Sequence, residues 1–63
     1  MAHEDLVFAV AASYVRRLGA AAVDALQEQA EIARVLGYTD SAKLWLESAD
    51  TAADMLAPRR MAN

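Results

Sequence analysis

From Leu6 to Val15 the chain reads LVFAVAASYV, and Ser13 is its one plainly polar residue. A helix on the surface of a small domain carries a polar stripe along one side, and this segment has almost none. Val7, Val10, Ala11, Tyr14 and Leu18 share one stripe, Phe8, Ala12 and Val15 a second, with Leu6, Ala9 and Ser13 beside them. Further on the pattern turns amphipathic. Val23, Leu26, Ala30, Ala33 and Gly37 form a stripe from which Asp24, Glu28 and Glu31 point away. Ala42, Trp45, Ala49, Ala52 and Leu56 form another, opposite Lys43, Glu47, Asp50 and Asp54. Apolar and polar residues nowhere alternate for long, so no strand is predicted.

Glycine and proline punctuate this pattern. Gly19 follows YVRRL, Gly37 follows IARVL and Pro58 follows DMLA, which reads as two helix ends and a stop. Helices are predicted over about 4–18, 21–36 and 40–57, with a short tail 58–63, all in one domain. Glu4 and Asp5 open the first helix and Arg16 and Arg17 close it, while Asp24 and Arg34 repeat that polarity in the second. Each placement complements the helix dipole. Thr39 or Asp40 is the expected N-cap of the third, and Arg59 and Arg60 follow its end. Gly19 is the weaker boundary, because LGAAAVDAL offers no capping side chain. A mid-helix glycine costs only about 1 kcal/mol, so the first two helices either bend tightly there or fuse into a rod of roughly thirty residues. The expected class is all-α: a three-helix antiparallel bundle or helical hairpin, completed by dimerisation.

Composition sharpens this picture. The 63 residues are 57% hydrophobic but only 6% aromatic, because alanine supplies much of the apolar count. Alanine favours helices but buries little surface. The large anchors available to a core are Phe8, Tyr14, Leu18, Leu26, Ile32, Leu36, Trp45, Leu46 and Leu56. Ala30, Ala33, Ala49 and Ala52 let the second and third helices approach at the short end of the usual range, about 8–10 Å. A chain of this length buries only about 60% of its unfolded surface. With no cysteine, disulfides and thiolate zinc sites are excluded, and a reducing compartment such as the cytoplasm is the expected setting.

A net charge of -3 argues against nucleic acid as a partner. The acidic start MAHED does not look like a signal, and the apolar run stops at Arg16-Arg17, short of the ~20 residues a bilayer helix requires, so no membrane partner is expected. Candidate chemistry is thin. Met1-Ala2-His3 matches the spacing of a square-planar copper or nickel site, but alanine at the second position favours removal of Met1, which leaves a frayed histidine. Asp24, Glu28 and Glu31 share a helical face but lack the Glu-x-x-His of a di-metal bundle, so a solvated face with a Glu31–Arg34 pair is expected. Ser13, Ser41, Ser48, Tyr14 and Tyr38 have no histidine base within helical reach. The expectation is no enzyme, no metal and no cofactor. Trp45 reads as core.

The remaining question is what covers the first helix. Two neighbours in a three-helix monomer shield only part of its circumference. The residual face, bearing Phe8 and Val15 or Leu6, is the expected partner site, with Leu6, Phe8, Val10 and Val15 as its residues and a homodimer as the simplest partner. Another protein is the next choice. The alternative function is an acidic inhibitor or nucleic-acid mimic presenting Glu28, Glu31, Glu47, Asp50 and Asp54 to a basic groove. A helix-turn-helix ranks last, because the third helix carries one lysine against four acids.

From Ala12 to Leu56 the landmarks A-x-Y-V-x-x-L-G-x-x-A and L-G-x-x-x-S-A-x-x-W, carried by Tyr14, Gly19, Ala22, Gly37 and Trp45, resemble those of short uncharacterised bacterial all-helical proteins. That resemblance implies the three-helix reading and a break at Gly19, and no activity or cofactor.

Overall fold

The computed structural model describes residues 2–57, and the Arg59-Arg60 tail and the Met1 amine lie outside them. The described chain is all-α. α1 spans His3–Leu18, a 3-10 turn follows over Gly19–Ala21, α2 spans Ala22–Val35 and α3 spans Thr39–Leu56. No loop separates α1 from α2, and His3–Val35 is one continuous helical run. The expected count of three helices therefore becomes two. The first of these is sharply bent.

The bend has a backbone cause. Gly19 adopts φ +58° and ψ -131°, a conformation open to glycine and strained for any residue with a Cβ. Its amide hydrogen-bonds the Val15 carbonyl, which closes α1, and the three-residue turn restarts the helix without a side-chain cap. Packing gives the same answer. Ala11 and Leu26 belong to one buried cluster with Ala49 and Ala52, although a straight helix would hold them about 22 Å apart at 1.5 Å per residue.

The second turn is a Schellman motif. Gly37, at φ +84°, follows the last helical residues. The Tyr38 amide donates to the Ala33 carbonyl at 2.8 Å and the Gly37 amide to the Arg34 carbonyl at 3.0 Å, the paired bonds that satisfy a helix's last acceptors. The cap of α3 differs from expectation. Tyr38 is its N-cap, Thr39 and Asp40 already lie inside the helix, and no side chain caps it. The Tyr38 carbonyl accepts the first bond of the helix, from the Ala42 amide at 2.8 Å. The Thr39 amide donates to the Gly37 carbonyl at 3.0 Å, and with Thr39 already helical its side chain no longer occupies the capping position.

Both α1 and α2 pack on α3. The core between them is small-residue packing: Val7, Ala11, Ala22, Leu26, Ala30, Ala33, Ala42, Ala49 and Ala52 are buried, and Leu26 is the one large apolar side chain fully enclosed. Val10, Tyr14, Val15, Val23, Trp45 and Met55 lean on this centre while half-exposed. Several expected anchors lie elsewhere. Phe8, Leu18, Ile32, Leu36 and Leu46 are exposed. Alanines at the contact allow the helix backbones to approach closely, and these larger side chains lie on the outward faces.

Candidate functional site

The buried centre is mostly alanine, and many of the larger apolar side chains are exposed. Leu6, Phe8 and Leu18 of α1, Ile32 and Val35 of α2, Leu36 and Tyr38 of the turn and Leu46 of α3 are all exposed. Single exposed apolar residues are ordinary; a contiguous patch of them is what marks an interaction site.

The four expected interface residues divide into two pairs. Phe8 is 60% exposed and Leu6 40%, whereas Val10 and Val15 are half-buried against the core cluster. Leu6 and Phe8 are two residues apart, about 200° of helical rotation, so they flank α1 on opposite sides. Between them the amino end of α1 is pinned to α3 by a hydrogen bond between His3 Nε2 and Glu47 Oε1. Leu6 lines an open groove of about 500 Å³ on one side, with Asp40, Ser41, Lys43 and Leu44. Phe8 lines one of about 370 Å³ on the other, with Glu4, Val7 and Thr51. His3 and Glu47 border both. The expected frayed histidine is thus a helical residue tied to a position 44 residues away.

The acidic positions Glu28, Glu31, Glu47, Asp50 and Asp54 are all exposed. Two of them are engaged. Glu47 meets His3, and Glu31 accepts from Arg34 Nε at 3.1 Å and from its terminal nitrogen. Hydrogen bonding and charge from Arg34 hold the Glu31 carboxyl below the usual range. A lowered folded-state pKa means this pair supports the fold above the ordinary carboxyl pKa and ceases to as pH falls through the lowered value. Fully exposed, it is also screened by salt.

Among the described residues the histidine's hydrogen bond goes to Glu47. Ser48 is the one buried polar residue among those described, and its Oγ donates to the Leu44 carbonyl at 2.9 Å. Its position four residues before Ala52 and three after Trp45 was the available signal that it faces inward. Tyr14 stands edge-on to Trp45, ring centroids 6.0 Å apart, and the Arg17 guanidinium lies 4.9 Å over its ring. Among the described residues, no group of three or more His, Cys, Asp or Glu side chains is placed to hold a metal ion.

Continuity through Gly19 makes His3–Val35 long and apolar enough, by length and composition alone, to cross a membrane. The apolar stretch of that run, 6–23, has Arg16 and Arg17 inside it and the Gly19 bend near its end. Charges at that depth are costly in hydrocarbon. Compared with known families, curated proteins and solved structures, the chain matches none.

Proposed function

We propose that this chain is a small non-catalytic protein–protein interaction module, an adapter, regulator or subunit, that self-associates through α1 in the cytoplasm. One observation carries the reading: Leu6, Phe8, Leu18, Ile32, Val35, Leu36, Tyr38 and Leu46 are exposed while the buried centre is mostly alanine. A fold built only for its own stability gains most by burying its largest hydrocarbon groups. In this reading α1, α2 and α3 act as a three-helix unit, and a second copy completes the cover over α1. Arg16 and Arg17 within the apolar run support an aqueous setting over a bilayer.

Size-exclusion chromatography with light scattering tests this. The expected mass at high micromolar concentration is twice that of the 6.8 kDa chain. A single-chain mass there refutes self-association. The acidic-mimic reading rests on the exposure of Glu28, Glu31, Glu47, Asp50 and Asp54. It ranks second, because Arg34 and His3 already occupy two of those carboxylates. Added salt separates the readings: a mimic loses its basic partner steeply, an apolar interface does not.

A further inference from the structure

One face of α1 reads, in chain order, Asp5, Phe8, Ala9, Ala12, Val15 and Arg16. These positions fall within roughly 120° of the helical circumference. Asp5, Phe8, Ala9 and Arg16 are exposed, and Ala12 and Val15 are half-exposed. The face thus has an acid at one end, apolar groups in the middle and a base at the other, which makes it complementary to its own reverse. Asp5 and Arg16 form no ion pair with each other or with the rest of the described chain. Arg17, by contrast, is committed to the Tyr14 ring on the other flank.

Resting on the proposed self-association, we propose that a second copy of this chain covers this face by pairing α1 with α1 antiparallel, about a twofold axis level with the Val10–Ala11 peptide. Asp5 of each copy then comes level with Arg16 of the other, and Ala9 with Ala12. The small side chains let the helices approach, and each Phe8 lies over the other copy's Ala12. Both charge pairs form, because a twofold axis makes every contact twice, and the opposed helix dipoles favour the same direction. A parallel pairing would set Asp5 against Asp5 and Arg16 against Arg16. Leu6, on the opposite flank, takes no part. Six side chains per copy place this interface at the small end of specific contacts, below about 1,200 Å² in total, so the dimer dissociates on dilution.

The test is sedimentation equilibrium on four proteins: wild type, Asp5→Arg, Arg16→Asp and the double swap Asp5→Arg/Arg16→Asp. Circular dichroism checks that each remains helical. Each single variant sets like charges together at both ends and should weaken the dimer by at least about tenfold. The double swap should return it to within about threefold of wild type, and an equimolar mixture of the two single variants should also form dimers. A wild-type chain that stays monomeric at high micromolar concentration overturns self-association and this register together. Four equally stable dimers overturn the register and leave self-association standing. Weakened single variants that neither the swap nor the mixture rescues overturn the pairing of Asp5 with Arg16.

Discussion

Among the described residues, Leu26 is the one large apolar side chain enclosed completely, so Leu26→Ala is the most informative perturbation of stability. The substitution removes about three methylene equivalents, roughly 2.4 kcal/mol at 0.8 kcal/mol each. The cavity adds to this. Its buried neighbours Ala11, Ala49 and Ala52 carry methyl groups that cannot rotate into the space as a longer side chain could. The loss should therefore fall in the upper part of the usual Leu→Ala range, about 3–5 kcal/mol. At 0.05–0.15 kcal/mol per residue, a chain of this length has only about 3–9 kcal/mol in total. A loss of that size removes about a third or more of that total. Leu46→Ala supplies the control, because Leu46 is 51% exposed and its truncation should cost under about 1 kcal/mol. Urea melts followed by circular dichroism and by Trp45 fluorescence, at one fixed protein concentration so that association does not confound them, compare the two directly. A Leu26→Ala midpoint no lower than that of Leu46→Ala would refute the argument that the alanine-rich centre depends on this side chain.

Two further outcomes follow from the backbone and the buried hydroxyl. Gly19→Ala should destabilise by about 1–3 kcal/mol in the same urea melt through backbone strain alone, since a Cβ there meets nothing within 4 Å; an unchanged midpoint would contradict the +58° φ that bends the helical run. Ser48→Ala should stay within about 1 kcal/mol of wild type, because the Leu44 carbonyl keeps its helical amide partner, while Ser48→Leu overpacks the buried site and should cost about 1–3 kcal/mol; a thermal melt in which the alanine variant is the worse of the two would mean that the hydroxyl, not the space, is what matters there.

Much of the fold was legible from spacing. The alanine stripes of α2 and α3 are buried at Ala30, Ala33, Ala42, Ala49 and Ala52 as the pattern implies, and both glycines mark turns because both need a positive φ. The direction of the chain after Gly19 was not legible: glycine permits a bend without requiring one, and only contacts distant in sequence, such as Ala11 with the Leu26 cluster, decide it. The burial of large residues was misjudged for a related reason. A pattern that counts alanine and leucine alike cannot tell which sets the interhelix distance, so Ile32, Leu36 and Leu46 read as anchors although they lie on the outward faces. At the candidate surface, helical rotation alone separates Leu6 from Phe8. The half-burial of Val10 and Val15 needed the placement of α3.

The alanine-lined centre also shapes how this protein responds to temperature. The heat capacity released on unfolding tracks the hydrocarbon newly wetted, and here much of the bulky hydrocarbon is wet already. The isolated chain should therefore have a shallow, broad stability curve, with neither a sharp optimum nor a steep fall on cooling. Covering those outer side chains would steepen that curve, so the thermal profile itself would register the arrival of a companion.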